Sequence, residues 1–363
     1  MSANIQHIAN FGMFASPQRT LVFDLNDFDE AALGPWEWDL KRFVTSVVIA
    51  GRHKGLSPKQ TTGAALAAAR AYRVALRKFL ELDALERYYR RAEVNVGAAR
   101  YGKEMQKVIR RAIKDSKRRT SAHTLTKITE RASDGSVRIV ERPPTLSHVS
   151  AELEAKVSSL VSEYRKTVAP DIAFLLSQFT PTDVARRVVG VGSVGTRCFI
   201  TVLTGPNGEA LILQIKEATR SVLNQYGALD PQTEEVEHGL RVVANQRILQ
   251  AVSDPFLGHF TYENRGYYVR QFRDRNVSVD IESLKHEGFL DYVDACGRML
   301  ARAHAQSPNA AFIMGYLGTS DTFDRAVTQW AHAYADQSFA DYMRLRAAVE
   351  SDTFPLPDAS IEA

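Results

Sequence analysis

The chain has 363 residues, 45% of them hydrophobic, and a formal net charge of +4. That is one large domain or two modest ones with enough apolar content for a sizeable core, and the charge is too mild to call for a nucleic-acid partner. Two cysteines, Cys198 and Cys296, indicate neither a disulfide framework nor a metal cluster. With no apolar core in Met1 to Asn10 and no apolar run longer than segments such as Val44 to Ala50, the expectation is a cytoplasmic protein with no membrane span. In chain order, residues 1–30 read as loop, apolar strand (Leu21, Val22, Phe23) and acidic turn (Asp24, Asp27, Asp29, Glu30). Trp38 to His53 has helical spacing of apolar residues. Ser57 before Pro58 reads as a helix N-cap with proline at the first position, and the alanine-rich run Thr61 to Glu81 is a strong helix former. Asp83 to Tyr101 is expected to continue as charged helix.

Residues 100–131 are basic, from Arg100 and Lys103 to Lys127 and Arg131, and read as a solvated helix face. Aromatics for base stacking are scarce there. A turn, a short strand and a Pro-Pro connector occupy 132–150, and 151–178 is helical. Val188 to Glu217 reads as a β-meander. It holds a Gly-rich turn (Gly190, Gly192, Gly195), a strand over Thr196 to Thr204, a hairpin turn at Gly205 to Gly208 and a return strand over Ala210 to Glu217. Glu234 to Ala251 is a helix, Phe260 to Tyr262 and Tyr267 to Phe272 are strands, and Leu290 to Ala305 and Asp321 to Glu350 are helices.

Two clusters carry chemistry. The first is Asn10, before a strand, with Asp27 at the strand's far end. Two oxygen donors converging in this way suit Mg²⁺, which keeps one or two protein groups and takes the rest from water and phosphate. The second is the turn Gly190, Gly192, Gly195, whose amides can approach phosphate oxygens closely, followed one strand later by Lys216 in Leu213-Gln-Ile-Lys216-Glu. This resembles the kinase strand whose lysine holds phosphates. Glu234, Glu235 and Glu237 are candidate partners for that lysine. Asp24 and Asp29 are candidates for a second metal ligand. Asp39 is read as structural, Trp36 and Trp38 as core anchors, and Arg270, Arg273 and Arg275 as surface residues, with a substrate-facing role as the alternative.

The run Asn10-x(15)-N-D-F-D-E followed by G-P-W-E-W-D-L-K-R resembles an uncharacterised bacterial family, a domain of unknown function with a protein-kinase-like (aminoglycoside-phosphotransferase-like) fold. The resemblance places His7 and Asn10 on an H-x-x-N catalytic loop, Asp27 on the strand-end metal aspartate and Asp39 on the W-D-L aspartate. The Gly-Asp that should precede H-x-x-N falls on Asn4 and Ile5, and Ile5 cannot accept a proton. A truncated start or an inactive family member would each account for this. What the resemblance implies is an α+β two-lobe fold that is circularly permuted, because the Gly turn and lysine follow the metal loop rather than precede it. The expected division is a metal loop and helical lobe at 1–180, a sheet lobe at 181–275 and C-terminal helices at 276–363. The implied function is ATP- and Mg²⁺-dependent phosphoryl transfer to a small-molecule or protein hydroxyl. A nucleotide- or partner-binding pseudokinase is the alternative, and a nucleic-acid module using the basic run is a third reading.

Overall fold

The computed structural model describes residues 2–3, 7–94, 101–118, 127–131, 137–188, 195–226, 237–272 and 276–351. Near the N-terminus, strands β1 (Ser2–Ala3) and β4 (Ala32–Leu33) pair around the antiparallel hairpin β2 (Phe11–Ala15) and β3 (Leu21–Leu25). Helix α1 (Trp36–His53) follows Pro35 and carries Glu37 and Asp39 in its first turn and Arg52 and His53 in its last, charges that complement the helix dipole. Helix α2 (Pro58–Leu80) starts from a capping box in which Ser57 and Gln60 satisfy each other's backbone amides. Short α3 (Ala84–Tyr89) and basic α4 (Lys103–Arg118) complete the first part.

A mixed segment precedes the main sheet: β5 (Thr129–Arg131), β6 (Val137–Ile139), β7 (Leu146–His148), α5 (Ala151–Arg165) and α6 (Pro170–Leu176). The sheet then adds β8 (Thr180–Arg187), β9 (Cys198–Thr204) and β10 (Ala210–Ala218). After α7 (Val222–Tyr226) and α8 (His238–Leu249) come β11 (Gly258–Tyr262) and β12 (Arg265–Gln271). All six strands are antiparallel, in the order β11-β12-β10-β9-β8-β7. The chain ends in α9 (His286–His304), α10 (Ala310–Leu317) and α11 (Thr322–Glu350).

Side-chain alternation divides the sheet's two faces. Leu203, Leu213, Ile215, Tyr267 and Val269 form one core with Tyr164 and Val168 beneath α5. On the other face, Ile200, Val202, Ile212 and Phe272 pack under Val137 and Ile139 of the β6 segment, while Tyr268 joins Val242 and Val243 of α8 in the largest core. That largest core draws on both ends of the chain: Phe11, Phe43, Val47, Ala68 and Tyr72 pack with Val293, Leu300 and Val327. Between the two covered halves of this face lie Cys198, Gln214, Lys216 and Arg270.

The structure differs from the sequence reading in several places. Phe11–Ala15 is a strand, made regular by its pairing with β3 rather than by its own pattern. The helix expected over Asp83 to Tyr101 stops at Tyr89, and the chain turns extended so that Glu93 can bridge Val22 at the hairpin edge. The 151–178 helix is split at Pro170, which starts α6 as its first residue. Thr180–Arg187 is a full strand despite Pro181, because the register shift between Pro181 and Asp183 accommodates the missing amide.

Candidate functional site

Strand β10 points Gln214 and Lys216 to the face that carries Tyr268 and Arg270 on β12. There the acidic turn between β3 and α1 meets the sheet. Lys216 Nζ donates to Asp29 Oδ2 at 2.5 Å, and Tyr268 Oη donates to Asp29 Oδ1, also at 2.5 Å. The ammonium lies 5.6 Å from the centre of the Tyr268 ring, close enough for a cation–π contribution. Arg270 Nε donates to Gln214 Oε1 at 3.1 Å, and Gln214 Nε2 reaches Cys198 Sγ at 3.4 Å. Arg241 of α8 fixes the turn's backbone from the other side. It donates to the carbonyls of Asp29 and Thr219, both at 2.9 Å, and to that of Ala31.

The electrostatics follow from these contacts. Burial works to raise the Asp29 carboxyl, but Lys216, its hydrogen bond, that of Tyr268 and the nearby Arg270 outweigh it and hold Asp29 below the usual carboxylate range. Burial opposes the Lys216 charge, while Tyr268 and Asp29 more than offset that, so the lysine keeps its proton to higher pH than usual. Burial, then the Asp29 charge, pushes the Tyr268 phenol up. Lys216 and Asp29 are therefore a charged pair at neutral pH.

The Asn10 and Asp27 candidates share this neighbourhood. Asn10 is buried at the end of a single 3₁₀ turn, and its carbonyl accepts from the Asn26 amide at 2.9 Å, which fixes the residue just before Asp27. Gly12 makes room for this crossing: a Cβ there would sit 2.1 Å from Asn26 Nδ2. Asp27 is exposed, accepts from the Asp29 amide at 3.4 Å, and lies within electrostatic reach of His7, Arg42 and Arg270. Asp27 offers an exposed carboxylate, the hard oxygen donor that Mg²⁺ takes together with phosphate. Among the described residues, no cluster of three or more His, Cys, Asp or Glu side chains forms a metal cage.

Gly190 and Gly192 lie outside the described residues, as do Ile5, Arg273 and Arg275; Gly195, three residues before β9, has a left-handed φ of 89°. Several candidates have other employment. Glu237 caps α8 through the Gly239 and Leu240 amides, both at 3.0 Å, and its carboxylate lies 2.6 Å from His259 Nδ1, so it is not the partner of Lys216; Glu234 and Glu235 are outside the described residues. Asp24 is 1% exposed and accepts from the Leu25 and Ala251 amides at 2.9 and 2.7 Å. Burial raises its pKa against the pull of Arg302 and those amides, and this is a structural carboxylate. Asp39 is structural as expected, with its Oδ2 3.2 Å from His304 Nε2 while Tyr72 Oη lies 2.8 Å from His304 Nδ1. Trp36 anchors the core by stacking on Tyr72 at 6.2 Å. Arg270, read as a surface residue, is half-buried on the face of Lys216, held by Gln214. The α4 cations Lys103, Lys107, Arg110, Arg111, Lys114, Lys117 and Arg118 are exposed, which fits a solvated helix face. A small apolar cavity of about 50 Å³ under α5, lined by Val157, Tyr164, Leu213 and Ile215 among others, lies on the opposite face of the sheet from Lys216.

Sequence reasoning missed Asp29 as the lysine's partner and Arg241 as the clamp on the acidic turn. The only signal for Asp29 was its place in the N-D-F-D-E run, where it looks like its neighbours.

An α+β chain with a six-stranded antiparallel sheet, a core drawn from both ends of the chain and a lysine–carboxylate pair where the acidic turn meets the sheet is the class the geometry defines. Residues 6–348 match the family described as "Uncharacterized protein conserved in bacteria (DUF2252)", and the chain belongs to that family. No curated protein and no solved structure matches it. Among the described residues, no helix is long and apolar enough to cross a membrane.

Proposed function

We propose that this protein binds ATP with Mg²⁺ in the cleft between sheet and helical body and transfers a phosphoryl group to a hydroxyl acceptor, a small molecule or a protein. The observation that carries this reading is the meeting of Lys216 with the acidic turn, 187 residues apart in sequence, at 2.5 Å. Kinase-type sites require a phosphate lysine and a metal aspartate on facing lobes. The order of parts supports it too. Starting from β8 and running to α9, then returning to His7, Asn10 and Asp27, the chain gives a glycine-rich sequence, lysine strand, helix, two strands, long helix, H-x-x-N sequence and strand-end aspartate. A circularly permuted kinase-like fold would have its parts in this order. The two buried thiols Cys198 and Cys296 suit a reducing cytoplasm.

In this reading Lys216 and the glycines Gly190, Gly192 and Gly195 would hold the phosphates, and Asn10 and Asp27 would hold Mg²⁺, whose chemistry is to neutralise charge on the phosphate oxygens. The contribution of the chain is positioning and electrostatics in a partly closed cleft. Arg270, beside Gln214, adds a second cation to the same wall. Ile5 stands where the family pattern has an acceptor-activating aspartate, and that favours a second reading in which the protein binds nucleotide or a partner without turnover.

The test is a thermal-shift titration with ATP, with and without Mg²⁺, on the wild type, Lys216→Ala and Asp27→Ala. A metal-dependent rise in Tm that both variants lose supports the site. No shift in folded wild-type protein rules out nucleotide binding. If binding is present, phosphate release and transfer assays separate the enzyme from the binding protein.

A further inference from the structure

Kinase-type lysines are held by a carboxylate on the neighbouring helix. Helix α8, which packs against β12 on the lysine's face, has the sequence HGLRVVANQRIL and carries no acid at all. Its N-cap Glu237 is committed to the helix amides and His259. The α8 residue that reaches the cleft is a cation, Arg241, and it grips backbone carbonyls of the acidic turn rather than a side chain. Something else must hold the lysine.

We infer that Asp29 is the positioning residue for Lys216, so that the phosphate-binding lysine is held by the metal loop itself, two residues from Asp27. This rests on the ATP-binding reading for its purpose, and on geometry alone for its contact. Both oxygens of Asp29 are used: Oδ2 takes the ammonium and Oδ1 takes the Tyr268 hydroxyl, which fixes the carboxylate's rotation. Arg241 fixes the same residue through its carbonyl at 2.9 Å. An ammonium has three donors. Asp29 occupies one, which leaves the others for phosphate oxygens. The Lys216 side chain remains 23% exposed, enough for a ligand to reach.

The arrangement has a consequence that a helix-borne partner would not have. One short stretch of backbone carries both the carboxylate that orients the lysine and the carboxylate assigned to the metal. Removing Asp29 therefore weakens phosphate binding with or without metal, whereas removing Asp27 takes away only the metal-dependent part.

The experiment has two arms on the full chain. In the first, with no ligand present, the acetylation rate of Lys216 by acetic anhydride is followed by mass spectrometry against other lysines of the same molecule. Asp29→Asn is expected to raise the relative rate several-fold, because the half-buried amine loses the charge that keeps it protonated and held. Asp29→Glu restores part of the protection. Tyr268→Phe, which leaves the ion pair in place, gives a smaller change in the same direction and serves if Asp29→Asn does not fold. Unchanged Lys216 reactivity in folded Asp29→Asn and Tyr268→Phe overturns the inference. In the second arm, ATP affinity is measured by calorimetry with and without Mg²⁺. Asp29→Asn should lose about tenfold in both conditions, and Asp27→Asn only with Mg²⁺. Equal behaviour of the two variants overturns the division of roles, while absence of ATP binding by the wild type overturns the nucleotide reading and the phosphate role together, leaving the first arm to judge the Lys216–Asp29 contact alone.

Discussion

Gly297 of α9 lies directly against the backbone of Ala68 in α2: a Cβ at position 297 would stand 2.7 Å from the Ala68 carbonyl oxygen and 3.1 Å from the Ala71 methyl. The two helices cross at this point because one has a bare α-carbon and the other an alanine stripe. In an exposed helix, glycine to alanine gains about 1 kcal/mol of helix propensity. Here the obstacle is backbone, which cannot swing aside. Gly297→Ala is expected to lower stability by about 1–3 kcal/mol despite that gain, read as a lower urea midpoint at unchanged slope. A stabilised variant would mean the helices separate readily.

Arg73 and Asp324 join α2 to α11 by a two-pronged ion pair, Nη2 to Oδ2 at 2.7 Å and Nε to Oδ1 at 2.9 Å, with the side chains only 10% and 2% exposed. Asp324→Ala would leave a largely buried guanidinium with only the Thr319 carbonyl, 3.0 Å from its Nη1, and should cost about 3 kcal/mol. Replacing both residues together with leucine and methionine should cost less than the single change. Chemical denaturation of the single and double variants decides between these outcomes.

Tyr72, His304 and Asp39 bind α2, α9 and α1 into a buried chain of side chains with links of 2.8 and 3.2 Å. Tyr72→Phe keeps the ring and its stack on Trp36 but removes the hydroxyl beside His304 Nδ1. The expected loss is about 1–2 kcal/mol, with the fold retained by circular dichroism. A neutral result would show that His304 is held by Asp39 alone.

Glu237 carries the pH dependence at the start of α8. Burial raises its pKa, but the His259 contact and the two helix amides outweigh that and leave it below the usual glutamate range. A depressed folded pKa means stability that is present above the unfolded value of about 4.3 and lost as pH falls through the lower folded value. Acid titration of Tm should therefore show wild type converging on Glu237→Gln as pH drops below about 4, with wild type more stable at neutral pH. Parallel curves from pH 7 to pH 2 would contradict the assignment.

Much of the scaffold was legible because local signals decide it. Ser57-Pro58 starts α2, the turn at Gly205 to Gly208 joins β9 to β10, and alternation places Lys216 on a strand. What was not legible depended on distant partners. Asp24, Asp27 and Asp29 form one polar burst in the sequence, yet one is buried under backbone amides, one is exposed and one meets Lys216. Only the position of β10, far along the chain, tells them apart. Glu237 looked like a partner for Lys216, but its nearest donors are its own helix amides. The strand at Thr180–Arg187 was hidden by Pro181, which propensity counts against and a register shift absorbs.

The sharing of one core between the two ends of the chain has a consequence for synthesis. The apolar faces of α1 and α2, with Val44, Val47, Ala65 and Ala68, are closed in the finished protein by α9 and α11. On the ribosome those partners emerge some two hundred residues later, roughly ten to forty seconds at about 5–20 residues per second. For that interval the nascent chain must carry an open hydrophobic stripe, which makes it a natural client for chaperones. Stalled chains ending before residue 286 should be cut readily by protease within residues 36–80, and chains extended past residue 351 should resist.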